Sequence, residues 1–144
     1  MGKREKTLVL LKPDALERRL AGEILARFER KGLRVSGLKL MNVSESLARK
    51  HYRALVSEPF FPEILAYITR SAIIALVLEG TCAISVVRQM VGVTDGAKAL
   101  PGTIRGDFTL SFRENLVHAS DSSESAKREI ALFFKPSEIV RKNG

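Results

Sequence analysis

The chain has 144 residues, 45% of them hydrophobic and 28% charged, with a formal net charge of +8. This is the balance of a globular protein and not of a disordered chain, and the length suits one filled core over residues 1–144 better than two. The longest apolar run, the seven residues Ala72 to Leu78, falls far short of the roughly 20 that a membrane helix requires, and the basic excess favours anionic company such as nucleotides or nucleic acid.

Met1-Gly2-Lys3-Arg4-Glu5-Lys6 leads directly into an apolar stretch with no signal-peptide pattern, so the cytoplasm is the expected compartment. Thr7 to Leu11 is a continuous apolar run, as in a strand buried on both faces, and Lys12 ends it. A cation there suits the strand-end crevice where open α/β sheets bind ligands. It equally suits a lysine laying its stem along the surface. Pro13 is expected to block helix or ladder continuation, with Asp14 in a turn. Leu20, Ile24, Leu25 and Phe28 recur at helical spacing, and Gly32 supplies the stop. Arg27, Arg30, Lys31, Arg34 and Lys39 against Glu29 concentrate about half of the net charge in this region.

Residues 33–43 alternate loosely, a long strand whose register is ambiguous. Ser44 suits an N-cap for a helix with Leu47, His51 and Leu55 along one side, and His51 reads as a surface or satisfied core residue. Pro59-Phe60-Phe61-Pro62 breaks that helix, and another follows from about 62 to 69 with Ile64, Leu65 and Ile68 inward. Two adjacent aromatics between prolines cannot both face one core, so one is either a stacking platform for a planar ligand or a hydrophobic plug. Ile73 to Leu78 is the next buried strand. Thr81 is expected to cap a helix whose inner stripe is Ala83, Val86, Val87, Met90 and Val91, with Arg88 off that stripe. Cys82, the one cysteine, excludes an internal disulfide and reads as a small core residue.

Residues 92–114 lack clear periodicity, and a connection that long in a compact domain signals function or disorder. Its apolar content, from Val93 to Leu110, favours order. Within it Arg105 is flanked by Gly102 and Gly106, which would let backbone approach a ligand, and Thr94 and Arg105 are both placed to aim at an anion.

Asn115-Leu116-Val117 then reads as a short buried strand ending at His118, and Ser120-Asp121-Ser122-Ser123-Glu124 as a helix start capped by Asp121 or a neighbouring serine. An imidazole at a strand-to-helix junction is a candidate nucleophile or base, although a lone histidine is more often structural. A helix over about 122–134 places Glu129 among Ala126, Ile130 and Phe133, a carboxylate on the inward face that can orient the ring. The tail from Lys135 is expected to end the helix and run over a surface, including a neighbouring subunit's. The element order gives an α+β fold of the ferredoxin-like β-α-β-β-α-β type, a four-stranded antiparallel sheet covered by helices. No Walker A loop, G-x-G-x-x-G sequence, hydrolase elbow or usual zinc spacing occurs.

Lys12-Pro13-Asp14, Pro59-Phe60-Phe61-Pro62, Pro101-Gly102-Thr103-Ile104-Arg105-Gly106-Asp107 and Asn115-Leu116-Val117-His118-Ala119-Ser120-Asp121-Ser122 resemble, in order and spacing, the signature blocks of the nucleoside diphosphate kinase family. The match runs from about residue 5 to 140; one block is weak, four collinear blocks are specific. The resemblance implies ping-pong transfer of a γ-phosphate through phosphohistidine on His118, with Ser120 and Glu129 positioning the ring. It implies that Lys12, Tyr52, Arg88, Thr94, Arg105 and Asn115 contact phosphates and sugar hydroxyls and that Phe60 stacks the base. Mg2+ would be carried by the nucleotide phosphates and need no direct protein ligand. Nucleoside di- and triphosphates are the implied partners, and the implied assembly is a homo-hexamer, or alternatively a tetramer, built from dimers.

Ala119, where most members have glycine, is expected to have an ordinary negative φ. Gly96 replaces a common proline, which would loosen the loop; Ser71-Ala72 and Arg113-Glu114 are further departures. The competing reading is a nucleic-acid-binding module: a basic ferredoxin-like sheet suits one, and Phe108 to Phe112 faintly resembles its aromatic strand, but the order of basic residue and glycine does not fit. Nucleic-acid contact is therefore secondary.

Overall fold

A computed structural model describes residues 2–141. Strand β1 (Arg4–Leu11) lies inside a four-stranded antiparallel sheet of order β2-β3-β1-β4, with β2 at Arg34–Met41, β3 at Ile73–Thr81 and β4 at Val117–Ala119. This is the expected ferredoxin-like α+β arrangement. The uninterrupted apolar run of β1 is explained by burial on both sides. Val9 and Leu11 pack with Ile24, Phe28, Ala83 and Val87, whereas Leu8 and Leu10 pack with Ala48, Ile68 and Phe133. The helices supplying those layers are α1 (Pro13–Glu17), α2 (Ala21–Lys31), α3 (Glu45–His51), α4 (Phe61–Ile68), α5 (Ala83–Val91), α6 (Ile104–Phe108) and α7 (Ser123–Phe133). None among the described residues is long and apolar enough to cross a membrane.

Sheet register positions the candidate site. Leu10 stands opposite His118 across β1 and β4. Opposite residues of an antiparallel pair project to the same face, and Lys12 has the parity of Leu10. Lys12 and His118 are thereby aimed at the face covered by α3, α4 and α7.

Several local expectations are corrected. Pro13 opens a helix instead of blocking one, because the first helical position needs no N–H donor. The N-cap before α5 is Cys82, with φ of 52°, not Thr81, and its side chain is only partly buried. The helix bearing His51 ends there, so Leu55 belongs to a separate 3-10 turn, Arg53–Leu55. Ser122 caps α7 by accepting from the Ser125 N–H at 3.0 Å. Leu116 is not strand: its φ is 73°, and β4 starts at Val117. Ala119 is absent from the positive-φ residues, as expected. The ambiguous register of residues 33–43 reflects a bulge between Val35 and Gly37. The tail does not wander up to Val140, whose N–H donates to Ser36 O at 2.7 Å; residues 142–144 lie outside the described residues.

The long connection is ordered by its own contacts. Thr103 caps α6 by accepting from the Gly106 N–H at 3.0 Å. Gly106 serves the loop and not a ligand, since a Cβ there would sit 2.0 Å from Leu100 O. Gly96 likewise tightens the loop instead of loosening it: a Cβ would meet Thr109 O at 2.5 Å. Gly106→Ala should therefore destabilise the protein by on the order of 2–3 kcal/mol, because backbone and not a flexible side chain must give way. The check is the shift in denaturant midpoint, and an unshifted midpoint would contradict this packing.

Candidate active site

His118 leaves the edge strand with its side chain 21% exposed, and its Nε2 lies 2.8 Å from Glu129 Oε1 on α7. The same oxygen accepts from Ser120 Oγ at 2.7 Å. Burial pushes Glu129 upward, but the hydrogen bonds from His118 and Ser120 and the nearby imidazoles bring it net below the ordinary carboxylate range. An ionised carboxylate can only accept, so Nε2 carries the proton and Nδ1 keeps the lone pair. Burial also lowers His118 itself. Glu129 opposes that shift, and Lys12 and Arg105 add to it. The ring is thus a neutral imidazole of fixed tautomer.

Cations gather on the same side. Lys12 Nζ donates to Asn115 Oδ1 at 2.9 Å, and burial pushes its pKa down to about 7, with Arg105 adding to the effect, Asp14 opposing it and Arg113 adding less. Arg105 is buried. It spends Nε, Nη1 and Nη2 on the carbonyls of Asn115, Gly92 and Val117 at 3.1, 3.0 and 2.6 Å. It therefore also holds backbone, which leaves two of its five N–H groups free. Arg88 Nη1 donates to Ala119 O at 3.2 Å and ties α5 to β4. Thr94 presents its carbonyl to Asn115 Nδ2 at 3.2 Å.

Lys12, Tyr52, Phe60, Thr94 and Asn115 line one cleft of about 400 Å³, with Leu55, Ile64, Tyr67, Phe112 and Arg113 completing its wall, whereas His118, Arg88 and Arg105 are not among its lining residues. Phe60 is 37% exposed and Phe61 3%, so the first is the free aromatic face and the second the plug. The Arg113 guanidinium lies 5.2 Å from the Phe60 ring and 5.6 Å from that of Phe112. Phe112 and Arg113 carried no motif-level signal as cleft residues, since both sit in the aperiodic loop. His51 departs furthest from expectation. It is 5% exposed, neither ring nitrogen has a hydrogen-bond partner, and its ring meets that of His118 edge-on at 4.6 Å. Burial, then His118, pushes it down to about 3, so it backs the site as a neutral ring.

Donor atoms of His51, His118 and Glu129 lie within 4.8 Å of one another, a two-imidazole, one-carboxylate set. Arg128 Nη2 stands 3.7 Å from Glu129, and Lys12 and Arg105 act on His118, so this cationic surround opposes a divalent ion there. The arrangement favours a ligand carrying several negative charges, with one neutral nucleophilic nitrogen beside it.

A family model described as nucleoside diphosphate kinase matches residues 5–139. A nucleoside diphosphate kinase of Thermus thermophilus is 52% identical over 136 residues, 94% of this chain and 99% of that protein. One from Pyrococcus horikoshii is 51% identical over 142 residues, 96% and 90% of the two chains. Among solved structures, a halophilic nucleoside diphosphate kinase from Halobacterium salinarum in complex with CDP aligns with a TM-score of 0.95 at 42% identity, covering 99% of this chain and 95% of that one. A transition-state mimic of the enzyme from Borrelia burgdorferi with bound vanadate and ADP aligns at 0.92 and 39%, covering 98% and 93%.

Lys12 yields a prediction in which stability and site chemistry diverge. Its pKa falls from the ordinary 10.5 to about 7 on folding. Below about 7 it is charged in both states and the burial penalty is fully present; between about 7 and 10.5 the unfolded chain binds the extra proton and the penalty fades. Lys12→Met should therefore be more stable than the parent near pH 6, by on the order of 2 kcal/mol, with the Asn115 amide losing its donor and trimming the gain. The two unfolding curves should converge as pH rises toward 10.5. Denaturant melts along the pH series check this, and a variant less stable at every pH would contradict it.

Proposed function

The chain belongs to the nucleoside diphosphate kinase family, and on that premise we propose a role for each residue of its site. The enzyme moves the γ-phosphate of a nucleoside triphosphate, typically ATP, to a nucleoside diphosphate. In the proposed path His118 Nδ1 attacks the γ-phosphorus in line. The bond to the β–γ bridging oxygen breaks and the diphosphate leaves with that oxygen. A terminal oxygen of a second diphosphate then attacks the phosphohistidine and the N–P bond breaks. One geometric fact carries this reading: Nε2 is committed to Glu129 at 2.8 Å, so Nδ1 is the nitrogen left to react.

Ser120 and Glu129 hold the ring, and Glu129 stabilises the charge the imidazole gains as the N–P bond forms. Lys12, Arg88 and the free N–H groups of Arg105 meet the spreading negative charge of the phosphoryl group. Tyr52, Thr94 and Asn115 serve phosphate and sugar hydroxyls, and Phe60 offers a face that every base can stack on. Magnesium fits this cleft as a phosphate-borne ion: the lining is lysine, arginine, hydroxyls, an amide and apolar or aromatic side chains, with no carboxylate. When bound, Mg2+ neutralises phosphate charge. The whole chain works as one domain in the cytoplasm, and contact with nucleic acid through its basic surface is secondary.

The proposed assembly is a homo-hexamer built from dimers, with a tetramer as the alternative. Exposed apolar side chains in two parts of the chain support it: Leu38 and Leu40 on the open edge strand β2, and Val93, Leu100 and Leu110 along the long loop. A dimer needs one such patch; a closed assembly of dimers needs two.

Incubation with γ-labelled ATP should give acid-labile, alkali-stable label on His118, and none on His118→Ala; label retained by that variant overturns the assignment. Light scattering should return a closed oligomer, and Leu40→Asp should reduce its size. A monomeric parent protein would refute the assembly.

A further inference from the structure

The peptide just before the nucleophile's strand is strained. Leu116 has φ of 73°, is fully buried, and is spanned by a hydrogen bond from Val117 N to Asn115 O at 2.8 Å. That is a three-residue γ-turn with a positive central φ, a conformation a leucine holds only when its surroundings enforce it. The turn has a purpose in the geometry. It separates Asn115, whose side chain accepts from Lys12, from His118 two residues beyond Leu116, so any relaxation displaces both from each other.

Three residues enforce it. Arg105 grips the carbonyls on either side, Asn115 O at 3.1 Å and Val117 O at 2.6 Å. The Lys12 N–H donates to Leu116 O at 2.8 Å. The third is Asp14, which accepts the Leu116 N–H through Oδ2 at 3.1 Å and the Tyr67 hydroxyl through Oδ1. Asp14 is 4% exposed, and it takes part in none of the ion pairs among the described residues. A buried carboxylate without an ion-pair partner is costly, and a residue in the first turn of α1 could hold the same hydrogen bonds with an amide. Its cost is matched by its two contacts, which tie the Leu116 N–H to the Tyr67 hydroxyl through one side chain.

We propose that Asp14 is a positioning residue for phosphoryl transfer: it clamps the strained turn at Leu116, which sets Asn115 and His118. The inference rests on the reading of His118 as the phosphate carrier. Lys12 is faced by Arg105, Arg113 and Asp14, by the Asn115 amide oxygen, and by the Tyr67 ring at 5.4 Å; its charge is also felt at His118 and His51. Of the charged groups acting on Lys12, Arg105 and Arg113 lower its pKa and Asp14 raises it. Asp14 thus opposes, in part, the lowering that burial and Arg105 impose on Lys12.

Two variants separate the clamp from the charge. Asp14→Asn can still accept the Leu116 N–H through its amide oxygen and turn its N–H toward the Tyr67 hydroxyl, but it carries no charge. Asp14→Ala removes both. The readout is the single-turnover rate of His118 labelling by γ-labelled ATP at saturating nucleotide, across a pH series spanning about 7, with thermal melts alongside. For Asp14→Ala the labelling rate should fall about 10- to 100-fold with nucleotide affinity little changed, the signature of lost alignment. For Asp14→Asn the loss should be smaller. In both, the alkaline limb of the rate should move to lower pH than in the parent, which loss of fold stability alone would not produce.

A folded Asp14→Ala labelling within about twofold of the parent overturns the clamp, and an alkaline limb unmoved in Asp14→Asn overturns the electrostatic role. If the alanine variant does not fold, the asparagine variant decides. A parent protein that takes no label would instead defeat the phosphohistidine reading, so the two failures are told apart.

Discussion

The hydrogen bond from His118 Nε2 to Glu129 Oε1, 2.8 Å long, is the constraint on which the chemistry of this molecule depends. Two contacts make it asymmetric. Ser120 donates to the same oxygen at 2.7 Å, and Ser120 is itself fixed to β1, its N–H donating to Leu8 O at 3.1 Å. The carboxylate is therefore oriented by its surroundings before the imidazole meets it, and the imidazole has no choice of tautomer. A free histidine divides its proton between two nitrogens; here one geometry removes that freedom. His51, buried and neutral behind the ring, closes off the other side without adding charge.

Around that bond the structure accepts costs that a stability-driven sequence would avoid. A lysine and an arginine are buried with lowered pKa values, an imidazole lies inside with two unpaired nitrogens, and a leucine holds positive φ. Each is destabilising taken alone, and they lie close together. The layers on both faces of β1 offset them: the fully buried Leu8, Val9, Leu10 and Leu11 anchor the strand against which β4 and Lys12 are registered. Arg105 belongs to both sides of this balance. Three of its donors hold carbonyls of the loop and of the strand entry, so the long connection is kept in place by a buried cation that also acts on Lys12 and His118.

Much of this was legible in the residues. The apolar run of β1, the helical spacing behind α2, α5 and α7 and the inward Glu129 follow from periodicity. That one of two adjacent aromatics stays out of the core follows from sterics, but that Phe60 is the free one came only from the family resemblance. The aperiodic loop was less readable. Its helix is five residues long and contains Gly106, which lowers helix propensity, and its order comes from capping and close backbone contacts that leave no repeating pattern. His51 was misjudged for a related reason: a histidine on an apolar stripe looks the same whether its nitrogens find partners or not.

The sequence alone determined the alternation of elements, the sided burial of the central strand, and which residue types were available for phosphate chemistry. These depend on spacing along the chain, and spacing is local. Only the tertiary structure decided that Lys12 and His118 share a face, that Arg105 spends its donors on carbonyls, and that Asp14 reaches Leu116. Those facts depend on the register between β1 and β4 and on the path of a loop, where residues about a hundred positions apart are joined. A difference of one residue in that register would send the imidazole to the opposite side of the sheet, and no local pattern records which register the folded chain adopts.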